Sequence, residues 1–141
     1  MMIRLHATCI AHHGFGVLLT GRSGSGKSDL ALRLIDRGAE LVSDDYTEVE
    51  VIDAQLIARA PREIASLIEV RGIGIVPMKA RAEVRVALHI VLDADVPRMP
   101  EHATMISIAG IEIPSAALAG LEPSAPIKLE MLLARVLEDN R

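Results

Sequence analysis

Gly21-Arg22-Ser23-Gly24-Ser25-Gly26-Lys27-Ser28 satisfies every position of the pattern G-x-x-x-x-G-K-[ST]. The chemistry of phosphate capture dictates those residue types. Glycines allow backbone N–H groups to turn inward and approach phosphate oxygens, where a Cβ would stand in the way. Lys27 supplies a point charge suited to the β- and γ-phosphates, and Ser28 a hydroxyl suited to a phosphate-bound Mg²⁺. Outward from the octet, residues 14–20 (Gly-Phe-Gly-Val-Leu-Leu-Thr) end in an apolar run that reads as a buried strand. Residues 28–37 carry Leu30, Ala31, Leu34 and Ile35 at helical spacing, and Gly38 stands where a C-terminal cap glycine belongs. A phosphate loop between a strand and a helix is the context the mechanism requires, because the helix adds unpaired N–H groups and its dipole to the anion site.

The rest of the composition narrows the class. The 141 residues suit a single domain, 1–141, with a sizeable core. Half of the residues are hydrophobic, yet Phe15 and Tyr46 are the only aromatics, so the core is aliphatic and offers adenine little to stack on. A net charge of −4, with no basic block, argues against nucleic acid as a partner. Cys9 is the sole cysteine, which excludes an internal disulfide and a cysteine metal cage. No apolar run approaches the length of a membrane span and nothing resembles a signal peptide, so the expected location is cytoplasmic, away from membranes.

Along the chain, Met2 to Ile10 alternates, with Ile3, Leu5, Ala7 and Cys9 on one face and Arg4, His6 and Thr8 on the other, and reads as one strand. Short strands follow at 40–43 and 67–70, with hairpins around Asp53-Ala54 and Gly110, a turn at Arg71-Gly72-Ile73-Gly74 and an apolar strand over 84–92. Residues 121–126 read as a loop, and Leu129, Leu132, Leu133, Val136 and Leu137 mark a final amphipathic helix. Two helices among many hairpins do not make an alternating parallel α/β sheet. The expected fold is α/β: a single P-loop domain with a mixed, hairpin-rich sheet around the P-loop helix.

A phosphate loop needs an acidic partner to hold Mg²⁺ and, for transfer to a hydroxyl, a base. Two candidates end apolar strands. Asp93 follows the more hydrophobic one, His89-Ile90-Val91-Leu92; Asp44-Asp45 follows Glu40-Leu41-Val42-Ser43 and offers two carboxylates that could divide metal binding and base catalysis. On the residues alone both remain open.

Four stretches together are similar to the catalytic domain of HPr kinase/phosphorylase, a bacterial family acting on a serine of the phosphocarrier HPr. They are Leu5-His6-Ala7-Thr8, Gly16 to Ser28, Leu41-Val42-Ser43-Asp44-Asp45, and Ile68-Glu69-Val70-Arg71-Gly72-Ile73-Gly74-Ile75. The last is unlike other P-loop families and is the most specific. The resemblance implies a phosphoenolpyruvate-carboxykinase-like nucleotide site that takes ATP on Gly21, Arg22, Ser23, Gly24, Ser25, Gly26, Lys27 and Ser28. It further implies Mg²⁺ held by Ser28, Asp44 and Glu69, and a catalytic set of Asp45 as base with His6, Lys27 and Arg71. Asp93 is then a structural strand-end acid. The implied partner is an HPr-like phosphocarrier protein, and the family's hexamers imply a homo-oligomer.

By the same resemblance the chain is a short form, without the family's N-terminal domain. Its segment Ala119-Gly120-Leu121-Glu122-Pro123-Ser124-Ala125-Pro126 holds no arginine where the family has an arginine- and glycine-rich stretch. Two other readings stand beside an HPr-type serine kinase: an ATP-binding regulatory module with little catalysis, and a small-molecule kinase. An open face beside Asp45 favours a protein acceptor; an enclosed polar pocket favours a small molecule.

Overall fold

A computed structural model describes residues 1–100 and 104–139. Its strands are β1 (Met2–Leu5), β2 (Thr8–His12), β3 (Phe15–Thr20), β4 (Glu40–Ser43), β5 (Thr47–Ile52), β6 (Gln55–Arg59), β7 (Leu67–Val70), β8 (Gly74–Pro77), β9 (Glu83–Val91), β10 (Thr104–Ile108) and β11 (Ile111–Ala117). The helices are α1 (Lys27–Asp36) and α2 (Ala125–Asp139), with a single 3-10 turn at Arg62–Ile64 after Pro61. The main sheet runs β1-β5-β6-β9-β3-β2-β4, and β7 and β8 form a separate hairpin.

β9 organises the sheet. One of its edges pairs in parallel with β3 along nearly its whole length. Its other edge is shared: residues 83–85 pair antiparallel with β6, and residues 89–91 pair in parallel with β11. The sheet therefore forks at β9, and the expected mixed, hairpin-rich arrangement is what the chain adopts. The hairpins close where the turn residues predict. Asp53 and Ala54 have φ of 52° and 62°, and Ala109 and Gly110 have 52° and 84°, the left-handed pairs that match the twist of two-residue hairpins.

Alternation in the central strands feeds two cores. Val17 and Leu19 of β3, with Leu88 and Ile90 of β9, pack against Leu30, Ala31 and Leu34 of α1 and Leu129 and Leu133 of α2. Leu18, on the opposite face of β3, joins Cys9, Val42, Val49, Leu56, Val86 and Ile113. The first core fixes α1, and hence the phosphate loop, to the sheet. At its C-terminus α1 stops on Gly38, φ 106°, with the Gly38 N–H on the Ile35 carbonyl and the Ala39 N–H on the Leu34 carbonyl.

Two expectations are corrected. Met2 to Ile10 is not one strand: it breaks at His6-Ala7, so that β1 pairs with β5 while β2 pairs with β3 and β4. The inward face nevertheless survives the break, since Ile3, Leu5, Ala7 and Cys9 all pack into the second core. The last helix starts earlier than its apolar spacing indicates, at Ala125, with Pro126 in its first turn, where a missing N–H costs nothing.

Candidate phosphate and acceptor site

The octet connects β3 to α1. Gly21, Gly24 and Gly26 have φ of 148°, 85° and 98°, a backbone path that side-chain-bearing residues rarely follow. A Cβ on Gly24 would meet nothing within 4 Å, so this part of the loop opens onto a cleft of about 720 Å³. α1 begins at Lys27 without a side-chain cap, leaving its first-turn N–H groups directed at that cleft. The Lys27 ammonium is nearly buried and donates to the Gly21 carbonyl at 2.7 Å and the Arg22 carbonyl at 3.1 Å. Two of its three donors are held by the loop, which leaves one for an anion.

Asp44 and Asp45 lie in different surroundings. The Asp44 carboxylate is buried. It accepts from the Ser28 hydroxyl at 2.6 Å, the Thr8 hydroxyl at 3.2 Å and the Glu69 backbone N–H at 3.0 Å. Asp45 adopts φ 68° and turns away, so that its Oδ1 lies 2.9 Å from Nε2 of His6. Its backbone N–H donates to the Thr8 hydroxyl at 3.1 Å. One threonine hydroxyl thus ties both aspartates, and Thr47 secures the far end of the same turn through the Ala7 carbonyl at 2.8 Å. These ties explain the break after β1: the chain at 6–7 follows the aspartate turn rather than the sheet. His6 sits in that break, not on a strand, which frees its ring to reach Asp45 and to stack on Tyr46 with centroids 5.1 Å apart.

The remaining expected residues are accounted for as follows. Ser23, Gly26, Asp45, Glu69 and Arg71 all line the cleft. Glu69 reaches Asp44 through its backbone, and no group of three His, Cys, Asp or Glu side chains able to hold a metal occurs among the described residues. The donor pair that does converge, the Ser28 hydroxyl and the Asp44 carboxylate, is hard oxygen chemistry suited to Mg²⁺, which fills its other positions with water and phosphate oxygens. Asp93 accepts from the Arg22 backbone N–H at 2.9 Å and pairs with its guanidinium at 3.4 Å, so it braces the loop from outside the cleft. Behind the loop, buried His89 spans the Thr20 hydroxyl at 2.8 Å and the Ser115 hydroxyl at 2.7 Å, and burial pushes its pKa down. It is a neutral brace between β3 and β11.

Thr8 and Tyr46 were not expected at the site. Thr8 carried a signal, a polar residue in step with His6 on the alternating strand; Tyr46 carried only its adjacency to Asp45.

The comparisons with known proteins place the chain in a family and match its fold. Residues 1–120 match the family model described as HPr Serine kinase C-terminal domain. A HPr kinase/phosphorylase of Clostridium beijerinckii is 37% identical over 122 residues, covering 78% of this chain and 40% of that protein. One from Clostridium perfringens is 47% identical over 77 residues, covering 55% and 25%. The chain thus spans less than half the length of these relatives. The structure described as the Hpr(Ser) kinase/phosphatase from Coxiella burnetii superposes with a TM-score of 0.81 at 29% identity, covering 94% of this chain and 95% of that one.

Proposed function

Since the chain belongs to the HPr serine kinase C-terminal domain family, we propose that it is an ATP-dependent protein-serine kinase acting on an HPr-like phosphocarrier protein. The observation that carries this reading is the openness around Asp45. The side chains of His6 and Asp45 are 51% and 57% exposed while hydrogen-bonded to each other, at the edge of the phosphate-loop cleft. A serine on a folded protein can approach such a face; a small-molecule kinase would enclose its acceptor.

In this reading the loop amides and Lys27 hold the β- and γ-phosphates of ATP in a nucleotide site of the phosphoenolpyruvate carboxykinase type. Ser28 and Asp44 hold Mg²⁺, with Glu69 on the cleft wall nearby; when bound, the ion neutralises charge on the phosphates. Asp45 accepts the proton of the serine hydroxyl as that oxygen forms its bond to the γ-phosphorus and the bond to the β,γ-bridging oxygen of ATP breaks, releasing ADP. His6 orients the Asp45 carboxylate, and Arg71 offers a cation to the phosphate or the acceptor. Asp44, buried and already accepting from Ser28, Thr8 and the Glu69 N–H, is assigned to the metal rather than to the base. The proposed setting is the cytoplasm, where HPr-like proteins would be met, and the described residues contain no helix long and apolar enough to cross a membrane. Assembly as a homo-oligomer is part of the proposal.

The test is phosphotransfer from ATP to purified HPr-like proteins, read as phosphoserine by mass spectrometry. Phosphoserine that disappears in Asp45→Ala supports the reading; transfer undiminished in Asp45→Ala sinks the base assignment, and no phosphoserine on any such protein sinks the acceptor.

A further inference from the structure

Arg33 lies on α1, outside the octet, yet all three nitrogens of its guanidinium are engaged. Its Nε donates to the Asp29 carboxylate at 2.9 Å, one terminal nitrogen donates to the Glu122 carbonyl at 2.8 Å, and the other donates to the Gly120 carbonyl. Two of these partners are backbone atoms 89 and 87 residues away in sequence. They belong to the segment 119–124 between β11 and α2, whose own sequence contains no arginine.

That segment rests on the phosphate loop. A Cβ on Gly120 would stand 2.7 Å from the Ser25 carbonyl oxygen, and a Cβ on Gly26 would stand 2.8 Å from a Leu121 methyl. Backbone and side chain of residues 120–121 therefore touch the half of the loop that turns into α1. Leu121 is 65% exposed yet lines two clefts at once: the phosphate cleft containing Lys27, and a second recess of about 560 Å³ containing Arg22, Leu92 and Asp93. It is the partition between them. The Ser25 hydroxyl, packed beside Gly21, is buried without a hydrogen-bond partner.

We propose that Arg33 is a positioning residue for phosphate binding: it clamps the Gly120–Glu122 backbone onto Ser25 and Gly26 and so holds the loop amides in their anion-binding arrangement. This inference rests on the nucleotide reading of the octet. A planar guanidinium suits the task because its fork meets two carbonyls and a carboxylate at once, which the single ammonium of lysine cannot reproduce. Holding the loop in advance spares the ligand the cost of ordering it. The clamp couples α1, which carries Lys27 and Ser28, to the wall opposite.

The experiment is calorimetric titration of the intact chain with Mg·ATP and, separately, with inorganic tripolyphosphate. Arg33→Met, which keeps the aliphatic stem, is expected to weaken both ligands about tenfold, since the loop amides lose their support. Gly120→Ala, which presses on the Ser25 carbonyl, reaches the same loop by a different route and is expected to weaken both as well. Arg37→Met is the control: its guanidinium, just past the end of the same helix, pairs with Glu130 of α2 rather than with the 119–124 segment, and binding is expected to stay within about twofold. Circular dichroism and thermal melting are recorded for each variant. A clamp that serves stability alone lowers the melting temperature and leaves both affinities of the folded protein unchanged, which overturns the proposal. Should Arg33→Met not fold, Gly120→Ala and Arg33→Lys decide: affinities equal to wild type in these overturn it. If the wild type binds neither ligand, the nucleotide reading of the octet itself falls.

Discussion

His6 and Asp45, 39 residues apart in the chain, meet Nε2 to Oδ1 at 2.9 Å. The contact needs two local departures from regular structure: the break between β1 and β2 that frees His6, and the left-handed backbone of Asp45, φ 68°. Aspartate and asparagine tolerate that conformation better than most residues. Asp45→Asn should therefore keep the turn and remove the proposed base. Phosphoserine formation is expected to fall by about 10²- to 10⁴-fold, with Mg·ATP affinity by calorimetry close to wild type. Full activity in Asp45→Asn would show that the carboxylate accepts no proton.

Thr8 tests how the aspartates are held. Its hydroxyl is buried and serves both the Asp44 carboxylate and the Asp45 N–H. Thr8→Val preserves shape and deletes the hydroxyl, leaving that N–H without its partner. A loss of about 1–3 kcal/mol in stability is expected by denaturant titration. Phosphotransfer should fall by more than nucleotide binding, since the Asp45 turn loosens while the loop does not.

Gly16 marks where β3 and β9 lie too close for a side chain. A Cβ there would be 2.6 Å from a Val84 methyl and 3.3 Å from the Arg85 carbonyl oxygen. Gly16→Ala is expected to cost about 1–3 kcal/mol through overpacking, visible as a lower denaturant midpoint with an unchanged slope.

Cys9 is fully buried in the second core, and burial pushes its thiol up to about 12. The native chain should resist thiol reagents at neutral pH, and labelling should proceed only through opening of the β2 region. Labelling followed by mass spectrometry across a denaturant series is expected to track global unfolding. Rapid labelling without denaturant would contradict the packing around β2.

His89 sets an acid limit. Burial keeps its pKa below the ordinary 6.5 in the folded chain. The unfolded chain therefore binds the proton first as pH falls, and the stability His89 leaves intact above about 6.5 is lost progressively below it, until the folded histidine also protonates. Urea titrations at pH 7.5 and 5.5 should show lower stability at the acid value. His89→Gln, which can still join Thr20 and Ser115, is expected to shrink that difference.

Reading the chain residue by residue was sufficient for whatever depends on neighbours in sequence. The octet with its flanking strand and helix, the Gly38 stop, the hairpins at Asp53-Ala54 and Gly110 and the aliphatic core follow from side-chain periodicity and from the few residues that accept positive φ. Between Asp44-Asp45 and Asp93 the residues alone left the choice open; the family resemblance favoured the pair and put it in the company of His6 and the 68–75 stretch. Tertiary structure decided what rests on partners far apart in sequence. The forked β9 lends one edge to both β6 and β11, which no local pattern encodes. The two aspartates find different partners, Ser28, Thr8 and the Glu69 amide for one and His6 for the other, and Asp93 is turned to the outside of the loop by Arg22. Only the fold sets Arg33 apart from the other charges of its helix, by bringing the Gly120 and Glu122 carbonyls to it. Periodicity reports which face of an element is buried; hydrogen bonds between distant segments depend on the docking of those elements, and that is written only in the assembled chain.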